Sequence, residues 1–283
     1  EAWEDFLDMS ISAASQWASM NIEPDKKPSE IIPSEPYLMG SHAGACGLWV
    51  SGPAKNYIGA PDDWFWGYDR MTTVTGMFTA GDGVGASGHK FSSGSHAEGR
   101  MAAKGAVAFI LDHKNDKLEA GQNIEEMIAE IYLPFEIYEK YKDYTTAPDI
   151  NPNYLRPKHI QARLQKIMDE YVGGCINMYT TNRAMLDIAR ERIDMLKEDA
   201  QHMAASDLHE LMRAWEQYHR ILAAEAHMEH ILFREETRYP GYYYRADFPK
   251  LDDSKWKAFT ISQYDKKANT WKFEAKPYKQ LVK

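Results

Sequence analysis

The stretch TAGDGVGASGHKFSSGSHAEGRMAAKGAVAFI, residues 79–110, places six glycines between positions 81 and 99 and runs straight into an alanine-rich apolar segment. Glycine at this density lets something lie against the backbone where side chains would obstruct it. Gly83, Gly85 and Gly88 form a literal G-x-G-x-x-G. A dinucleotide fingerprint also needs a helix opening at its third glycine and an acid at the end of the next strand. Here HKFSSGS follows Gly88, the helical pattern starts only near Ser95, and no second strand supplies the acid. A phosphate-cradling Walker loop is excluded too, because G-K-S/T is missing.

A different chemistry fits the same residues. Asp82 is expected to end a buried strand, where a carboxylate can accept hydrogen bonds from the hydroxyls of a ribose or ribityl chain. The loop returns through SSGSH to a helix start, where the amides of Ser95 and His96 point outward with the helix dipole behind them. Such a start favours negative charge, and reduction of a flavin places negative charge on the N1–C2=O edge of its ring. Gly81, Asp82, Ser95 and His96 therefore read as a cofactor-binding corner for a flavin.

The elements that must position this corner can be sketched from pattern. Residues 1–20 read as a helix, with Trp3, Phe6, Leu7, Ile11, Ala14 and Trp17 near a 3.6 period, and a proline-rich connector follows. Glycine-rich 37–59 suggests short strands and tight turns. TVTGMFTAGD (73–82) reads as a hairpin end and a buried strand, and 96–111 as a helix with small residues along it. After about residue 132 the character changes. A polar loop at 140–158 precedes helical patterns at 159–173, 182–205 and 206–234, the last opened by a capping box or its near relative at Asp207 and Glu210. Leu208, Leu211, Met212, Trp215, Leu222 and Ile231 are the expected core of that last helix. The aromatic, proline-broken tail from 237 is expected to wrap irregularly over a neighbour.

Composition narrows the classes. The 283 residues allow one large or two ordinary domains, and a net charge of −9 argues against a nucleic-acid footprint. No apolar run reaches the length of a membrane span, and no secretory signal pattern opens the chain. The start at Glu1, without Met, reads as a fragment of a longer protein. Two cysteines, Cys46 and Cys175, cannot make a four-cysteine iron–sulfur or zinc site. No metal site is expected in this chain. The cysteines read as reduced packing thiols, which suits a cytoplasmic compartment.

GMFTAGDGVGASGHKFSSGSHAEGRMAAK resembles the second flavin-binding segment of the fumarate reductase/succinate dehydrogenase flavoprotein family, with its G-L-F/Y-A-A-G-E, N-R-L-G-G-N-S-L and following G-R helix. PYLMGSHAG (36–44) resembles that family's H-Y-x-M-G-G, and TRYPGYYYRADFPKLDDSKW its R-x-D-x-P-x-x-D-D-x-x-W tail. The departures narrow the match. Asp82 stands for the family's Glu, Lys90 for its substrate-binding Arg, and Pro36 for its leading His, while His42 comes later. A dicarboxylate enzyme would want the planar guanidinium fork that Lys90 lacks. Over essentially all its length the sequence is similar to the α subunits of the dissimilatory adenylylsulfate reductase family.

That resemblance implies an α+β chain: the end of a capping domain and connector (1–37), the second segment of an FAD-binding domain (38–131) and a C-terminal helical domain (132–283). It implies an FAD enzyme that reduces adenosine 5′-phosphosulfate (adenylylsulfate) to sulfite and AMP, reversibly, through a flavin N5–sulfite adduct. His42 and Lys90 are then the candidate catalytic residues, each able to balance charge or bind a sulfate or phosphate oxygen. Trp49, Trp64 and Trp66 could line the flavin or simply pack. Arg234, Arg238 and Arg245 are more readily explained as ion pairs with Glu235, Glu236 and Asp247. Electrons would come from an iron–sulfur β subunit with two [4Fe–4S] clusters. The alternatives are a dicarboxylate oxidoreductase (fumarate reductase/succinate dehydrogenase or L-aspartate oxidase type) and a catalytically inert fragment.

Overall fold

The computed structural model describes residues 15, 17–23, 26, 46–55, 63–85, 92–117, 119, 123–142, 155–238 and 244–277. The chain divides into two compact units, residues 1–37 and 38–283. In the first, residues 17–19 are helical and Ile22 N–H donates to the Trp17 carbonyl. Ser15 is helical too and Met20 lies in the closing turn; the other residues of the expected 1–20 helix lie outside the described residues.

In the second unit, the glycine-rich region is joined by single bridges rather than ladders. Leu48 pairs in parallel with Val84, and Met71 pairs antiparallel with Phe78 across a turn at 73–76. The hairpin end forms, but the buried strand does not. Phe78, Thr79 and Ala80 are only half-buried, and Gly81, at φ +61, breaks the extended run. Asp82 therefore sits exposed in a short 3-10 turn, Gly81–Gly83, instead of ending a buried strand.

Helix α1, Ser92–Asp112, packs along this region. A Cβ at Gly105 would lie 2.3 Å from the Asp69 carbonyl oxygen, so only glycine permits that approach. Phe109 meets Tyr68 edge-on at 5.2 Å, and Tyr68 Oη donates to Asp112 at 3.0 Å. Helix α2, Ile124–Tyr141, is opened by Asn123, whose side chain accepts from the amides of Glu125 and Glu126. The sequence reading places no helix here, and Pro134 sits in its interior. It runs through the expected domain boundary at 131/132.

Three helices form the main core: α3 (Pro157–Tyr171), α4 (Arg183–Ala200) and α5 (Leu208–Phe233). Pro157 opens α3 at a position where its missing N–H costs nothing. The Asp207 side chain accepts from Glu210 N–H, while Glu210 reaches back to the Ser206 amide at 2.7 Å, one residue before the box position. The inward face of α5 is Ala214, Gln217, Ile221, Ala224, Met228 and Ile231. This corrects the expected stripe, from which only Ile231 is buried; Leu208, Met212 and Leu222 face outward. The buried stripe mixes alanines with Ile221, Met228 and Ile231 and is rotated from the expected one.

The tail is more regular than its prolines suggest. Strands β1 (Thr180–Thr181) and β2 (Tyr244–Arg245) pair in parallel. A one-turn helix, α6 (Asp253–Trp256), leads into the antiparallel hairpin β3 (Ala258–Asp265) and β4 (Thr270–Pro277). Phe273 of β4 stacks on Phe233 of α5 at 4.8 Å, and Trp256 meets Phe233 edge-on. Among the described residues no helix is long and apolar enough to cross a membrane.

Candidate functional site

The glycines that open the sequence argument are explained first by the chain itself. Leu48 N–H donates to the Gly83 carbonyl, and Gly85 N–H to the Leu48 carbonyl, both at 2.8 Å. A Cβ at Gly85 would lie 2.9 Å from the Gly47 carbonyl oxygen, and one at Gly83 2.3 Å from Thr79 Oγ1. Gly85 is thus small because another backbone segment presses on it, whereas Gly83 makes room for the Thr79 hydroxyl four residues upstream. Gly88 lies outside the described residues.

Gly81 is different, because its neighbour is the start of α1. A Cβ there would stand 3.1 Å from Ser95 Oγ and 3.2 Å from Ser95 Cβ. The structure therefore brings Gly81, Asp82, Ser95 and His96 to one corner, where the 3-10 turn meets the helix. Ser95 is half-buried, while Asp82 and His96 are exposed. The helix begins at Ser92, ahead of the expected start near Ser95. Ser95 and His96 consequently fall at its fourth and fifth positions, where amides turn back onto the preceding carbonyls. The outward-facing amides of the first turn lie just upstream. No acidic side chain stands in that turn to compete for its positive end. Gly81 without a side chain, the exposed Asp82 carboxylate beside it and the acid-free first turn of α1 are features a flavin would use. His42 and Lys90 lie outside the described residues.

Arg70 holds the corner together, and sequence reasoning did not single it out. It has φ +65, a left-handed conformation unusual for a long side chain. Its N–H donates to the Ser51 carbonyl at 2.9 Å and its carbonyl accepts from Thr79 N–H at 3.2 Å. Its guanidinium grips the Glu98 carboxylate of α1 with Nε and Nη2, and donates from Nη1 to Asp69 at 2.8 Å. Burial pulls the Arg70 pKa down, but its bonds to Glu98 and Asp69 outweigh that and hold it above the ordinary arginine value. The only sequence signal was an arginine beside an aspartate, in DR, which any surface can show.

The aromatic group pairs with backbone. Trp64 Nε1–H donates to the Val50 carbonyl at 3.0 Å, and Trp66 Nε1–H to the Thr72 carbonyl at 3.1 Å. Trp49 approaches Phe259 of β3, centroids 5.9 Å apart. The C-terminal arginines make ion pairs. Glu236, fully buried, accepts from Arg234 and Arg238, and Arg245 forks onto Asp247, while Glu235 pairs instead with Lys255. Both cysteines are exposed, which corrects their reading as packing thiols. Among the described residues no cluster of His, Cys, Asp or Glu could hold a metal ion.

Residues 161–281 match the C-terminal region of the fumarate reductase flavoproteins. Over that stretch the chain carries the C-terminal domain of this flavoprotein family. The adenylylsulfate reductase α subunit of Megalodesulfovibrio gigas is 52% identical over 288 residues, covering 100% of this chain and 43% of that protein. The solved adenylylsulfate reductase of Archaeoglobus fulgidus superposes with a TM-score of 0.84 at 52% identity, over 100% of this chain and 44% of that one. An adenosine-5-phosphosulfate reductase in covalent adduct with sulfite matches with the same TM-score. An Escherichia coli quinol–fumarate reductase, 17% identical over 74% of this chain and 34% of that one, shares the fold at a TM-score of 0.53. The chain spans less than half the length of these relatives.

Proposed function

We propose that this chain is part of the flavoprotein subunit of an adenylylsulfate reductase, which reduces adenosine 5′-phosphosulfate to sulfite and AMP and can run in reverse. The observation that carries this reading is 52% identity along the whole chain to an adenylylsulfate reductase α subunit. Lys90 in place of arginine supports it over dicarboxylate chemistry, which calls for a bidentate fork. In this reading residues 1–37 end a capping domain, 38–131 complete an FAD-binding domain and 132–283 form the helical domain.

FAD, when bound, supplies two-electron transfer. Gly81 and Asp82 would line its approach, with Ser95 and His96 beside them, and the first turn of α1, which opens at Ser92, would offer a positive end to its ring. Lys90 neutralises a sulfate or phosphate oxygen as a point charge. His42 donates to an oxygen on which negative charge grows as the sulfur–oxygen bond to AMP breaks. The electrons arrive from a partner subunit with two [4Fe–4S] clusters, since two cysteines cannot hold such a cluster. The low cysteine count suits the cytoplasm.

The test uses the full-length flavoprotein with its partner. Bleaching of the flavin absorbance that requires both AMP and sulfite is the expected result. Bleaching by succinate instead, or a protein that retains no flavin, would overturn the reading. His42→Ala should slow turnover by roughly 10²-fold, the usual cost of one transition-state donor.

A further inference from the structure

We infer that the Arg70–Glu98 pair is the positioning device of the flavin corner: it fixes the start of α1 against the Gly81–Gly83 turn and so sets how strongly the site favours reduced cofactor. The inference rests on the flavin reading above. Arg70 is a single residue that joins three segments. Its N–H is committed to the Ser51 carbonyl and its carbonyl to Thr79 N–H, two residues before Gly81. Its guanidinium reaches across to Glu98, three residues after Ser95 on α1. The side chains of Arg70 and Glu98 are each 12% exposed, so the pair is screened from water far better than a surface bridge.

The contact on the other side closes the frame. Gly81 packs directly on Ser95, so the turn and the helix meet at one end and are tied by Arg70 at the other. Met101 Sδ, one turn further along α1, receives a further contact from Arg70 Nη2 at 3.3 Å. The left-handed backbone of Arg70 has a conformational cost for a residue with a Cβ, and the surrounding contacts over-determine it. Releasing the pair lets α1 shift or tilt by a fraction of an ångström. The field of a helix end falls off within about one turn, so such a shift changes what the cofactor feels.

The test is made in the full-length holoenzyme with Arg70→Met and Arg70→Lys, using Arg190→Met as control. Arg190 forks onto Glu229 with bonds of 2.6 and 2.7 Å, a pair of the same forked geometry between α4 and α5, more exposed at the arginine and remote in sequence from the corner. Two quantities are read: the flavin reduction potential, and amide hydrogen exchange at 79–85 and 95–101. Arg70→Met is expected to weaken the preference for reduced over oxidised FAD at least tenfold, about 30 mV for a two-electron couple. Exchange should quicken together in both segments. Arg70→Lys, with its charge but without the fork, should fall between. Arg190→Met should lower thermal stability with neither effect. If Arg70→Met only lowers stability and leaves potential and exchange pattern as in Arg190→Met, the inference fails. A protein that holds no flavin in any form defeats the flavin reading, and the exchange measurement still decides whether the clamp exists.

Discussion

In the helical region, 155–238, buried side chains of α3, α4 and α5 interlock around Ile160, Leu164, Leu186, Ile193, Leu196 and Met228. In the glycine-rich region, 46–117, the described buried apolar residues are Val50, Met71, Val84 and Ala102. There backbone-on-backbone contacts, at Leu48–Val84, Ser51–Met71 and Gly105–Asp69, stand beside the Tyr68–Phe109 ring pair and the Arg70 ion pairs. Meanwhile Val107, Ile110 and Leu111 of α1 face outward. The difference separates two tasks. A side-chain core supplies stability that is spread over many contacts. A backbone-contact corner supplies position, set by few contacts, and its failure should show first at the cofactor.

Substitutions can break or sharpen that contrast. The largest effect is expected from Arg245→Met. Arg245 is 1% exposed; it donates to the Ile231 and Arg234 carbonyls at the end of α5, and it forks onto Asp247. Asp247 in turn accepts from Arg183 N–H at the start of α4. Removing the cation leaves α5 uncapped and Asp247 without its fork, a loss of about 3–5 kcal/mol in denaturant unfolding. FAD affinity of the folded fraction should stay unchanged. Ile193→Ala, at a fully buried position, should cost about 2–5 kcal/mol by the same measurement, again without touching FAD.

Gly85→Ala probes the other side of the contrast. Its Cβ would meet the Gly47 carbonyl oxygen, which is backbone and cannot rotate away. A loss of about 1–3 kcal/mol is expected, together with weaker FAD retention on gel filtration. Full flavin retention would show that the corner does not depend on this backbone contact. Asn182→Ala, which removes the side-chain acceptor for Met185 N–H, should cost about 1 kcal/mol and nothing at the cofactor.

Acidity offers a graded version of the same test. Burial would raise the pKa of Glu236, but hydrogen bonds from Arg238, Asp252 N–H and Arg234 outweigh it and hold it below the ordinary value near 4.5. A depressed folded-state pKa contributes stability in full above the unfolded value, and loses it as pH falls through the folded one. Melting temperature should therefore drop below about pH 4.5, and Glu236→Gln should flatten that limb while lowering the plateau at neutral pH.

Local rules carried far in this sequence. The three core helices were legible from period, and α5 also from its cap, because Asp207 acts through its own neighbours; α3 opens at Pro157, two residues before its expected start at 159. Helix α2 was not, since its proline argues locally against what the surrounding turns tolerate. The β3–β4 hairpin was missed as well. Its turn, held by Asp265 accepting from Lys267 and Ala268 amides, is local, but its register matters only once Phe273 finds Phe233.

The sequence by itself pointed to the family, through ordered motifs, and to the place where Gly81 meets Ser95, because close approach there demands glycine; it set the helix start three residues late. Tertiary structure alone decided which glycines answer to the chain and which to the corner. It also decided which face of α5 is buried, and that Arg70 holds α1 to the turn. Those outcomes depend on segments far apart in sequence meeting in space. No spacing within one segment records what will press on it from another.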